Sequence, residues 1–101
     1  MKIFFKRLND IAMIPQQMTI HSSGYDIYSA NNDTVTIFPG KLSLIPTGIA
    51  IAVPEGYEAQ IRPRSGLALN HYIGVLNSPG TIDSDYRGEI KVILYNFGEN
   101  E

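Results

Sequence analysis

Proline and glycine interrupt this chain at short intervals, and that punctuation constrains its fold more than any other feature. Pro39-Gly40, Pro46, Pro54-Glu55-Gly56, Pro63 and Pro79-Gly80 divide it into pieces of about strand length. Several pieces alternate with period two, as half-buried strands do. Val35 and Ile37 share a face in Thr34–Phe38, and Leu42 and Leu44 share one in Lys41–Ile45. Ile49, Ile51 and Val53 do the same in Thr47–Val53, and Ile90, Val92 and Leu94 in Glu89–Asn96. Lys2–Arg7, Tyr25–Ala30, Tyr57–Arg62 and Ile73–Leu76 are weaker strand candidates. Isoleucine occurs 14 times against 7 leucines, and β-branched side chains suit a pleated sheet. Only Ser65–Asn70 reads as a helical turn, with Ser65 as its expected cap. Many short strands and one helical turn predict an all-β sandwich or barrel.

The 101 residues fit one domain, expected to span 1–101, with a core that is possible but thin. Charged residues make up 18% of the chain, below the usual share of about 25%. A surface so poor in charge is expected to be covered in part by other subunits. The net charge of −2 excludes the strongly basic footprint that grips a nucleic-acid polymer or an anionic membrane. A nucleotide remains open as ligand, since two or three placed cations suffice for a phosphate chain. With no cysteine, disulfides and thiolate metal sites are excluded. No apolar run approaches the roughly 18 residues that span a bilayer. The opening MKIFFKRLND is too short in apolar residues for a signal peptide. The expectation is a cytoplasmic or otherwise soluble intracellular protein.

Three stretches carry candidate chemistry. In Arg62-Pro63-Arg64-Ser65-Gly66 a guanidinium, a hydroxyl and free backbone donors meet at the start of a helical turn, which suits a phosphate. The alternative is a capped turn with a solvated arginine. Asn77 to Ile90 is polar and turn-rich, and reads as a hairpin bending near Asp85–Gly88. Asp83 and Asp85, two apart, would point the same way in extended chain, beside the ring of Tyr86. Such carboxylates act as a base, bind a cation, or simply satisfy turn donors. In Gly24 to Ala30, Asp26 sits out of place within an apolar and aromatic strand. It is placed to hold a hydrated Mg²⁺, or else protects a strand edge. His21 and His71 are isolated and read as surface or packing residues.

Together these stretches resemble the motifs of the trimeric dUTPase (dUTP diphosphatase) family. Gly24-Tyr25-Asp26-Ile27-Tyr28-Ser29-Ala30 is similar to the first motif, Pro63-Arg64-Ser65-Gly66-Leu67-Ala68 to the second, and Gly80 to Glu89 to the third. The resemblance implies a jelly-roll-like β fold and a homotrimer with sites between subunits, the third motif coming from a different chain. It implies Mg²⁺-assisted hydrolysis of dUTP to dUMP and pyrophosphate, which limits dUTP and supplies dUMP for thymidylate synthesis. Carried over by position, Asp83 deprotonates the attacking water, and Arg64, Ser65 and Gly66 hold phosphates. Asn77 and the backbone around Gly80 and Ile82 read the uracil edge, Tyr86 packs under the deoxyribose, and Asp26 binds Mg²⁺ through water.

The resemblance also implies a fourth motif and a glycine-rich fifth motif after Asn96-Phe97-Gly98, with a strand that packs on a neighbouring subunit. The sequence stops at Glu101, so residues 1–101 alone are expected to assemble and hydrolyse poorly. Two alternatives stand beside the hydrolase. The related dCTP deaminases share fold and nucleotide class, but their second motif usually begins Arg-Ser-Ser where this chain has Arg64-Ser65-Gly66. A non-catalytic module that binds nucleotide or a protein partner is the other.

Overall fold

The computed structural model describes residues 1–101. The elements are β1 (Phe4–Arg7), β2 (Leu42–Pro46), β3 (Ile49–Ala52), β4 (Ala59–Ile61), α1 (Ser65–His71), β5 (Ile73–Val75), β6 (Gly80–Ile82) and β7 (Lys91–Asn96). They form three antiparallel sheets: β1 with β3, β2-β7-β5, and β4 with β6. The predicted all-β class holds, with one short helix. None of the three sheets closes into a barrel.

The core sits where alternation is clearest. Ile49, Ile51 and Val53 pack with Ala12, Ile82 and Ile90, and Phe5, Ile27, Ala59 and Ile61 close around them. Burying each of these isoleucines stabilises the fold by roughly 1.5–3 kcal/mol before entropy is counted. Register decides the other faces. In the middle sheet Leu42 lies opposite Tyr95 and Leu44 opposite Ile93, so these four share a face. Leu42 and Leu44 are 55% and 54% exposed. Ile45 and Val75 occupy the opposite face and are buried. Phe97 stacks on Tyr95 with centroids 4.4 Å apart and is itself exposed, which extends the outer apolar face.

Three of the expected elements take another form. Thr34–Phe38 is not a strand. Instead the buried Asn96 side chain, 1% exposed, donates to the Ile37 carbonyl at 2.8 Å and to that of Asn100 at 2.6 Å, while its Oδ1 accepts the Gly98 N–H at 2.8 Å. No hydrogen bond joins residues 31–36 to the rest of the chain. Tyr25–Ala30 also lacks a ladder: it is held by a bridge between Asp26 and Gln16 and by a bond from Ala30 N–H to Pro46 O at 2.8 Å. The expected hairpin is a turn without paired arms. Tyr86 N–H donates to Asp83 O at 3.1 Å, but β6 pairs with β4, not with the chain after the turn. That turn also removes the extended geometry that would align Asp83 with Asp85.

The helix begins one residue away from the expected cap. Arg64 is the N-cap, with φ −96° and ψ 135° and no side-chain capping bond, so Ser65 is the first helical residue. Tyr72 ends the helix in the left-handed region at φ 57°, where glycine would be the usual choice. Its carbonyl accepts the Phe97 N–H at 2.9 Å, which anchors the helix to the end of β7. No helix is long and apolar enough to cross a membrane.

Candidate active site

Seven of the nine predicted site residues line two abutting hollows; Ser65 and Gly66 line neither. The first, about 380 Å³, is lined by Asn77, Gly80, Ile82, Asp83, Tyr86 and Glu89 among others. It holds every residue assigned to base reading, sugar packing and water activation. The second, about 480 Å³, includes Asp26 and Arg64 in its wall. Ile61, Val75 and Val92 line both and form the partition between them.

The first hollow is built by β6 and the turn that follows it. Gly80 and Ile82 are buried and hold the strand against β4, while Asp83, one residue on, is exposed at the mouth. The Asn77 amide lies against Gly80, its Nδ2 3.5 Å from where a Cβ would stand. Asn77 lies between β5 and β6, two residues after Val75. The Tyr86 ring is 45% exposed, and its hydroxyl donates to the Glu89 carbonyl at 2.8 Å. An aromatic with one open face and an anchored polar tip suits a flat ligand ring or sugar.

The second hollow is built by the coil at Gly24–Ser29 and the chain from Gln60 to Leu67. Arg64 Nη1 lies 3.4 Å from Asp26 Oδ2, with the arginine side chain 67% exposed and the aspartate 23%. The guanidinium thus keeps most of its donors free for an anion. Ser65 and Gly66 follow on the exposed first turn, whose N–H groups have no intrahelical acceptor. An added Cβ at Gly66 would meet nothing within 4 Å, so the backbone there is open to close approach.

No group of three or more His, Cys, Asp or Glu side chains is gathered anywhere in the structure. Asp83 and Asp85 are thus not part of such a cluster. A lone half-buried carboxylate beside an arginine with free donors does fit a hydrated Mg²⁺, which takes few protein ligands and keeps its waters. Sequence reasoning passed over Thr47, although it stands between Pro46 and Gly48 at the turn joining two strands. Its hydroxyl donates to Ile90 O at 2.6 Å and fixes the chain leaving the first hollow. The sequence gives Glu89 no partner, yet its carboxylate accepts the Gly48 N–H at 3.1 Å.

The profile of the dUTPase family matches residues 10–101. The chain belongs to the dUTPase family. It is 59% identical over 93 residues to the deoxyuridine 5'-triphosphate nucleotidohydrolase of Rickettsia prowazekii, covering 92% of this chain and 63% of that protein. It is 50% identical over 96 residues to the protein of that name from Syntrophotalea carbinolica, covering 95% and 65%. Among solved dUTPases it is similar to that of phage phi11 of S. aureus, in a structure concerned with a coordinated structural Mg(II) ion. The TM-score is 0.87 at 28% identity, over 97% of this chain and 61% of that one. The dUTPase of Staphylococcus bacteriophage 80alpha with dUpNHpp gives 0.88 at 31% identity, over 97% and 56%. The chain thus spans just under two-thirds of the length of several of the dUTPases it matches.

Proposed function

We propose that this protein hydrolyses dUTP to dUMP and pyrophosphate, in a soluble compartment. The observation that carries the reading is the convergence of Asn77, Gly80, Ile82, Asp83 and Tyr86 on one hollow. Uracil enters against Asn77 and the backbone of β6, which supply donors and acceptors to its edge. Deoxyribose lies on the Tyr86 ring, which leaves no room for a 2′-hydroxyl. The triphosphate runs to Arg64, Ser65 and Gly66, where a guanidinium fork and open N–H groups neutralise it. Asp83 accepts a proton from water as its oxygen bonds the α-phosphorus, and the bond to the bridging oxygen breaks to release pyrophosphate. A cation chelated by the phosphates and held by Asp26 through water would lower their charge; Mg²⁺ fits that description. No covalent intermediate on the protein is needed, since placement and charge neutralisation lower the barrier.

The protein works as a homotrimer in this reading. Two features support it: Leu42, Leu44 and Phe97 around the half-buried Tyr95 leave apolar surface exposed, and Arg64 lines a different hollow from the base-reading groups. Residues 1–101 act as one domain, and the third motif of one subunit serves the first two of another.

The test is product analysis with dUTP, dCTP and UTP. Equal amounts of dUMP and pyrophosphate from dUTP alone are expected. Ammonia from dCTP would assign the protein to the deaminases, and dUTP binding with no turnover would make it a binding module.

A further inference from the structure

We propose that Thr47 and Glu89 are positioning residues that fix the Tyr86 ring and, through it, the choice of sugar. The inference rests on the substrate reading above. The chain leaving the first hollow is tied to a single turn between β2 and β3. Thr47, 2% exposed, donates its hydroxyl to Ile90 O at 2.6 Å, and its N–H shares that carbonyl at 3.3 Å. Ile90 N–H returns a bond to Ile49 O at 2.9 Å. One residue earlier, the Glu89 carboxylate accepts the Gly48 N–H at 3.1 Å, and the Glu89 carbonyl takes the Tyr86 hydroxyl at 2.8 Å. Tyr86 is thus the outermost link of a chain of bonds that starts in the core.

Packing alone does not fix this ring, since nearly half of it faces solvent. The loop closes tightly round its tip, because a Cβ at Gly88 would stand 2.7 Å from the Tyr86 hydroxyl. The turn at the other end is equally close-fitting: a Cβ at Gly48 would stand 2.7 Å from that of Ala12. Steric rejection of a hydroxyl requires a wall held to within about 0.5 Å. The Thr47 and Glu89 bonds supply that constraint.

The test combines a ligand-free and a catalytic measurement on the whole protein. With 3-fluorotyrosine incorporated, the Tyr86 fluorine resonance is identified by its loss in Tyr86→Phe. Thr47→Val and Glu89→Ala are expected to shift it more than those of the other tyrosines, with Thr47→Ser and Glu89→Gln restoring it. The ratio of kcat/KM for dUTP over UTP falls about fivefold to tenfold in the first pair, the loss of one hydrogen bond, and recovers in the second. A variant that merely folds less well loses both activities together and leaves the ratio intact. Glu89 is half-buried, so its variants are informative even where Thr47→Val fails to fold. An unmoved Tyr86 resonance in Glu89→Ala overturns the clamp. A moved resonance with an unchanged ratio overturns its role in sugar choice. If the wild-type protein turns over neither nucleotide, the substrate reading and the sugar role fall together, and the fluorine spectra alone decide the clamp.

Discussion

The Arg64 guanidinium lies 3.4 Å from the Asp26 carboxylate and bridges two segments that are 38 positions apart in sequence. With the arginine largely solvated, the pair contributes no more than about 1 kcal/mol to stability. Its expected importance is to orient both groups towards the phosphates. Asp26→Asn should barely move the urea midpoint. It should raise the Mg²⁺ concentration needed for half-maximal hydrolysis about tenfold, as loss of an outer-sphere partner does. Titrating Mg²⁺ against rate, beside an unfolding curve, checks both halves.

Asp83 is exposed and makes no side-chain hydrogen bond, so replacing it should leave the fold intact. Asp83→Asn is expected to lower turnover by about 10²–10⁴-fold. Calorimetry with dUTP should still register binding. Equal losses of binding and turnover would move Asp83 from base to binding residue.

Gly48 and Gly56 form a matched pair, both at positive φ, +66° and +89°. Only at Gly48 would a Cβ collide, with Ala12 and Asn9 at 2.7–2.9 Å, whereas Gly56 faces open space. Gly56→Ala should cost about 1 kcal/mol of backbone strain, and Gly48→Ala about 2–3 kcal/mol. Urea denaturation of the two variants gives the comparison directly.

The outer face of the middle sheet supplies a prediction about assembly. Leu44→Glu puts a charge where the side chain is already half in solvent, so the subunit's stability should change by less than about 0.5 kcal/mol. If the proposed trimer is built on this face, sedimentation should show it replaced by monomer. A trimer that survives the substitution would locate the subunit contact elsewhere.

The sequence announced the strands better than their surroundings. Alternation in Thr47–Val53 found the core because its inward isoleucines meet Ala12, Ile82 and Ile90. In Lys41–Ile45 it separated two faces correctly, but a period of two does not say which face the chain covers. Leu42 and Leu44 face outward, and Ile45 faces in. Thr34–Phe38 has the same alternation and no ladder, since pairing is decided by a neighbouring strand. The helix end at Tyr72 was illegible because a tyrosine carries no left-handed signal; the Phe97 bond imposes it. Of the site, the residue types and their order were legible. Their division between two hollows and the bonds of Thr47 and Glu89 arise from contacts distant in sequence.

Asn96 tests how far one buried amide supports the sheet. Asn96→Leu keeps the volume and strands the Ile37 carbonyl and the Gly98 N–H without partners. The expected loss is about 2–4 kcal/mol, from unsatisfied buried groups. Thermal unfolding of this variant beside an exposed control such as Asn70→Leu would measure it.

That same amide has an evolutionary consequence. The backbone is pinned at Ala30 through Pro46 and at Ile37 through Asn96, and residues 32–36 between these anchors are exposed. Ring closure costs little more as such a span grows, about 0.6 kcal/mol per doubling. The interval can therefore be lengthened, or nicked by a protease, while both anchors stay in register. Differences in length among relatives, and the first cut in limited digestion, should fall there, leaving both hollows untouched.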